Sequence, residues 1–235
     1  MKYLLLLTLI IGAINTFAQK TKIAIQGGIN LNSINWKDND PTNTQSDSSD
    51  YSFTKTSGKQ GFHVNLVVDI HTEENYYFET GIGITKKGGK TDETTTLQPG
   101  SVNFKRVQYF SPTYIRVPLY LVYMPEIKKK YKFTAGVGAH IAFGVGGKTE
   151  KSTTINGGAI KKQNYKAKFG VNSSDDFKST DIGVGAKIGF IMSDNISFGA
   201  SYERSIFNNA PKTIERTNNA LFSTIGLSIT KYIRR

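Results

Sequence analysis

The feature that most constrains this chain is strict alternation of apolar and polar side chains over short segments. In Phe62-His63-Val64-Asn65-Leu66-Val67-Val68-Asp69-Ile70, the residues Phe62, Val64, Leu66, Val68 and Ile70 fall on one side. Gly61, His63, Asn65, Val67 and Asp69 fall on the other. Successive side chains on a strand point to opposite faces, so this segment is a strand with one apolar and one largely polar face. Eight segments read this way, at about 22–31, 61–71, 76–86, 104–123, 131–145, 180–192, 196–205 and 221–232. No long helical pattern lies between them. The fold class expected is all-β: an antiparallel up-and-down transmembrane β-barrel of about eight strands. Pro112 interrupts the fourth segment, and because proline cannot donate a ladder hydrogen bond, a bulge is expected there.

The connections alternate in length. Thr72-Glu73-Glu74-Asn75, a short segment at 125–130, and Ser193-Asp194-Asn195 are tight turns. The others, at 32–59, 87–103, 146–179 and 206–219, are long and polar and are expected to be loops. Short turns at one end, long connections at the other and an even strand count are the signature of a transmembrane barrel, with both termini on the periplasmic side.

Periodicity does not say which face is wet. A soluble lipocalin-like barrel that binds an apolar ligand would have its apolar face inside. The polar face here carries Gly28, Gly81, Gly83, Gly136, Gly138, Gly183, Gly185 and Gly226. Such small residues suit a crowded lumen better than a solvated exterior. Aromatic residues cluster near the strand ends of the apolar face: Tyr76, Phe78, Tyr123, Tyr131 and Phe133 at the short-turn end, Phe62, Phe143 and Tyr202 at the other. These resemble interfacial girdles, so the membrane barrel is favoured.

Met1-Lys2-Tyr3, the apolar run from Leu4 and the ending Thr16-Phe17-Ala18 read as a secretory signal peptide. It is expected to span 1–18, leaving 19–235 as one barrel domain in the outer membrane. No later segment has the roughly 20 apolar residues of a spanning helix. Cysteine is absent, which excludes a disulfide scaffold and cysteine-based zinc sites. The formal charge of +12 would ordinarily raise nucleic acid as a partner, but an exported chain rarely meets it. The lysines of 146–179 fit a solvated loop, or contact with lipopolysaccharide or an acidic surface partner.

No motif for nucleophilic, metal-dependent or nucleotide-dependent catalysis is present, so neither a catalytic residue nor a cofactor nor a metal site is assigned. Instead, Asp69, Glu79, Arg116, His140, Lys187 and Glu203 fall on the polar face, with Asp181, and form a candidate lumen cluster. Lys187 and Glu203 should be near-diagonal neighbours across the short Ser193-Asp194-Asn195 turn. Charges inside so narrow a barrel must pair or contact water. The cluster is expected to be a structural plug, the rival being a gate on an ion path.

Tyr114-Ile115-Arg116-Val117-Pro118-Leu119-Tyr120-Leu121 resembles a strand of the PorT-like outer-membrane β-barrel proteins of Bacteroidota, often loosely labelled porins. Gly27-Gly28-Ile29-Asn30-Leu31-Asn32-Ser33 and the strand from Asp181 to Phe190 are also similar. The resemblance covers about 22–232 and implies an outer-membrane barrel without a cofactor. It departs at the C-terminus. Many such barrels end in an aromatic residue, whereas this chain ends Tyr232-Ile233-Arg234-Arg235, leaving Tyr232 as the candidate insertion signal.

The role expected is that of a monomeric, non-enzymatic structural or surface-interaction protein acting through its long loops. The alternatives are a narrow ion or small-solute channel, an accessory that contacts secretion-machinery protein, and the soluble binding barrel.

Overall fold

A computed structural model describes residues 21–39, 51–96, 103–128, 131–172, 174–192, 195–211 and 217–233. The expected signal peptide, parts of the four long connections and the turn residues Ser193 and Asp194 lie outside the described residues.

The strands are β1 (Thr21–Asn39), β2 (Tyr51–Ser57), β3 (Lys59–Glu73), β4 (Tyr76–Lys86), β5 (Gly89–Thr96) and β6 (Asn103–Tyr123). They continue as β7 (Glu126–Lys128), β8 (Tyr131–Ile155), β9 (Lys161–Lys166), β10 (Thr180–Ile191), β11 (Ile196–Ser205) and β12 (Thr217–Ile233). Eight of them close a ring in the order β1-β3-β4-β6-β8-β10-β11-β12, in which β1 pairs with β12 and every pairing is antiparallel. Closure matters because a spanning sheet has no water to satisfy an open edge.

The expected faces hold on each ring strand. Ile25, Ile29, Leu66, Ile82, Leu121, Val137, Ile188 and Leu227 are exposed on the outside. Asn30, Asn65, Asp69, Glu79, His140, Asp181 and Glu203 are buried on the inside. Tyr76 packs on Tyr123 with ring centroids 5.1 Å apart, and Tyr131 stacks on Phe190 at 5.4 Å. Both pairs lie at the short-turn end, where an aromatic girdle is expected. The bulge sits beside Pro112: Thr113 pairs with Gly146 and Tyr114 with Gly144, leaving Val145 as the extra residue on β8.

Three of the four long connections, 32–59, 87–103 and 146–179, carry strand where the sequence reading expects only loop, whereas 206–211 in the fourth is irregular as expected. β8 has 25 residues, whereas about 9–11 tilted residues suffice to cross the hydrocarbon layer. β1, β6, β8 and β12 all run on past the apolar band, and β2, β5 and β9 add strands to this extension. Stretches such as Thr94-Thr95-Thr96 and Thr153-Thr154 favour extended backbone, but they lack the apolar face that reveals a strand in sequence. Tyr232 turns inward and packs against the cluster of Tyr77, Tyr120, Val122, Met124 and Ile191, and Ile233 is exposed on the outside.

Candidate functional site

The lumen is layered. Its mouth at the long-strand end is closed by Ile34, Phe110, Tyr114, Phe177 and Phe222, with Phe169 packed against them. Phe177 lies 5.4 Å from Phe110 and 5.3 Å from Phe222, centroid to centroid. Both Phe169 and Phe177 come from the segment between β9 and β10, which folds back over the barrel. Backbone bonds from Gly144 N–H to Ser179 O (2.8 Å) and Lys178 N–H to Asn209 O (2.8 Å) hold that segment in place. Tyr77, Tyr120, Val122, Met124 and Ile191, with Tyr232, close the short-turn end.

Charged groups fill the space between. The Arg116 guanidinium forks onto Glu203, with Nη2 2.6 Å from Oε1 and Nη1 3.0 Å from Oε2. The Tyr120 hydroxyl donates to the same carboxylate at 3.0 Å. A bidentate charged pair with a third donor satisfies most of the carboxylate's lone pairs, the condition under which a buried pair is tolerated. Gly138 and Gly185 make room for Tyr120. A Cβ on Gly185 would lie 2.9 Å from Glu203 Cγ, and one on Gly138 would lie 2.9 Å from Tyr120 Cγ. Gly28, Gly83 and Gly183 likewise lie against the side chains of His63, Asn65 and His140, whereas a Cβ on Gly81 would meet backbone.

Lys87 is buried among Asp181, at 2.5 Å, and His140 Nε2, at 3.2 Å. The Asn209 amide donates to the other Asp181 oxygen at 2.9 Å. His140 Nδ1 lies 3.7 Å from Glu203, so this group adjoins the Arg116 pair. Lys187 reaches across the lumen to Glu79. It is diagonal to Glu203 in register, since Gly185 pairs with Glu203 and Lys187 with Ser201, yet its ionic partner is Glu79. Polar contacts continue along the wall: His63 Nδ1 lies 2.7 Å from Asn30 Oδ1, and Asn65 donates to Gln26 at 2.7 Å.

All six candidate residues thus line one lumen, with Arg116, Glu203 and His140 adjoining, Lys187 paired with Glu79, and Asp69 beside Glu79. Lys87, Asn209 and Tyr114 were missed. Lys87 carried a signal: Thr85 faces inward and Lys87 is two residues on, so period-2 alternation places it inside. Asn209 carried none, because it arrives from the connection between β11 and β12. A cavity of about 50 Å³ remains, lined by Glu79, Arg116, Lys187 and Glu203 among others.

Asp69 is fully buried and sits directly opposite Glu79 in the β3–β4 ladder, with Lys187, Lys22 and Tyr232 around it. Like charges directly opposite are destabilising, and Lys187 is committed to Glu79. Asp69→Asn, which keeps the shape and removes one charge, is therefore expected to leave stability within about 0.5 kcal/mol or to raise it. Urea titration followed by the gel-mobility difference between folded and unfolded barrel measures this. A loss above about 2 kcal/mol would show that the Asp69 charge is needed.

A closed antiparallel ring, apolar outside and charged within, bounded by an aromatic girdle, defines an integral barrel of the outer membrane. The outer membrane protein beta-barrel domain family matches residues 17–210, most of the chain, and the protein belongs to that family. Among solved structures it is similar to Neisserial surface protein A, at 12% identity over 91% of this chain and 99% of that one, with a TM-score of 0.41. It is also similar to Ail, the attachment invasion locus protein of Yersinia pestis (12% identity, 90% and 99% covered, TM-score 0.36). A third similarity is to OprG from Pseudomonas aeruginosa (12% identity, 89% and 95% covered, TM-score 0.35). No curated protein matches the sequence.

Proposed function

We propose that this protein is a non-enzymatic, PorT-like outer-membrane barrel of the Bacteroidota kind. Its role is surface interaction, carried by the strand extension on the extracellular side. The observation that supports this most directly is the double closure of the lumen. Aromatic and aliphatic side chains cap both ends of the charged layer, and the space left between is about 50 Å³, room for a few waters rather than a continuous path. What such a barrel offers a partner is its extension. Short turns are periplasmic and long connections extracellular in barrels of this class, so the β8–β9 hairpin faces outward from the cell. Lys151, Lys161 and Lys162 make its far end basic, and an acidic partner fits it.

The test uses the purified full-length barrel and a variant in which 151–163 is replaced by Asn-Gly. Glu150 and Asn164 face each other in the ladder, so a two-residue turn joins them without disturbing the strands below. Phe169 and Phe177 stay in place, and with them the closure of the mouth. Both proteins should remain heat-modifiable on gels and give no stable conductance steps in planar bilayers. The full-length protein should bind immobilised heparin, as an acidic probe, with an affinity that falls as salt rises. The trimmed variant should lose most of that binding. Steady, large conductance, or heparin binding unchanged by trimming, would overturn the reading.

A further inference from the structure

We infer that the outward face at the base of the β8–β9 hairpin is a binding surface for the phosphate groups of outer-leaflet lipids, with Lys148 and Lys166 at its centre. The inference rests on the extracellular placement of the extension proposed above, and it adds a ligand that trimming the far end of the hairpin would not remove.

The register makes the site. Lys148 pairs with Lys166, so two ammonium groups stand directly opposite each other on the same side of a two-stranded ladder. Among the described residues neither has an ion pair within 4.0 Å. Like charges placed so closely repel, and an isolated hairpin gains nothing from them. A bridging anion converts the repulsion into two charge-assisted hydrogen bonds.

The position indicates where that anion comes from. Thr149 is fully buried on the lumen side, across from Phe110, so its neighbours Lys148 and Glu150 point outward. The outward face of β8 carries Val137, Phe143 and Val145, all exposed. Lys148 follows three residues above Val145 on that same face. That is roughly 10 Å along the strand, and less along the membrane normal once the strand is tilted. The lysine pair therefore sits at the upper edge of the lipid-facing band, where headgroups begin. A soluble partner would meet the far end of the hairpin first.

The surroundings are consistent with an anion. Lys162 lies farther up the outward face of β9, opposite Ser152, and Lys105 beyond it on β6, opposite Thr154. Glu150 is the one acid in β8 above the bulge and in β9. It is offset by Lys59, whose ammonium lies 5.4 Å from the Tyr109 ring beside it. Asp92, on β5 beyond β6, is already bonded to Lys90 at 2.7 Å. The ligand class that fits is a phosphomonoester or phosphodiester carried on a lipid headgroup.

The test compares the full-length protein with K148Q/K166Q and with K151Q/K161Q, whose lysines occupy the opposite face of the same hairpin. All three are reconstituted in phosphatidylcholine vesicles containing increasing amounts of a bisphosphorylated glucosamine lipid or its dephosphorylated form. Bound glycolipid is quantified by native mass spectrometry. The wild type should prefer the phosphorylated lipid. K148Q/K166Q should weaken that binding about 30-fold, the effect of two lysines at an anionic surface. K151Q/K161Q should change it less than about threefold. Equal retention of the two lipids by the wild type would overturn the inference, as would equal losses in the two double variants. Heparin binding that depends on Lys148 and Lys166 as strongly as lipid binding does would also overturn it, by assigning the surface to a soluble partner. Lipid binding that fails while heparin binding through the far end persists would leave the surface-interaction reading standing. The reverse result would isolate failure of that reading.

Discussion

Replacing Arg116 with methionine is expected to destabilise the barrel by about 3–5 kcal/mol, because it leaves a buried carboxylate without its counter-charge. Glu203 is nearly inaccessible, and Arg116 supplies both arms of its fork. Tyr120 would remain as a single neutral donor at 3.0 Å. The nearest cationic replacements are occupied: Lys187 is bound to Glu79, and Lys87 to Asp181. The double variant Arg116→Met/Glu203→Met removes both charges and should recover most of the loss, since a well-packed apolar pair often replaces a buried ion pair at little cost. The measurement is a double-mutant cycle of urea midpoints, read by loss of the folded gel mobility. A coupling above about 2 kcal/mol would confirm that the two groups act as a pair. A harmless single variant would mean that the lumen admits enough water to solvate Glu203.

How much of this was legible in the sequence depends on how far each residue's environment is set by its own strand. Period-2 alternation placed Asp69, Glu79, Arg116, His140, Lys187 and Glu203 on the lumen wall, and the structure puts their side chains there. It could not choose partners. Lys187 is diagonal to Glu203 in the ladder, yet its charge is met by Glu79 on the far wall. Pairing across a barrel depends on strand stagger, which no local pattern encodes. The extension failed to register for a different reason. A strand solvated on both faces has no apolar stripe, so Lys161-Lys162-Gln163-Asn164-Tyr165-Lys166 reads like a loop although it pairs with β8. The closure of the mouth was hidden for a third reason. Phe169 and Phe177 lie in irregular backbone, and only the fold of their segment over the mouth brings them to Tyr114 and Phe222.

Placing arginine at Val137 should cost about 2–4 kcal/mol, because this position lies at the middle of the hydrocarbon layer. Val137 is 63% exposed on the outside of β8. It lies midway between two outward aromatics of the same strand, Tyr131 toward the short-turn end and Phe143 toward the other. Those rings are twelve residues apart, which at a typical strand rise and tilt spans about 30 Å of membrane normal. An arginine there has no headgroup within easy reach, and the backbone around it is already fully paired. The same substitution at Ile155, at the far end of β8 and 46% exposed, should change stability by no more than about 0.5 kcal/mol. Both side chains are aliphatic and both are exposed. The difference between the two results therefore isolates the solvent each one faces. Unfolding in urea from phosphatidylcholine vesicles gives both values on one scale. Equal, small costs at Val137 and Ile155 would mean that the outer face around Val137 meets water, and the apolar exterior would then need another cover.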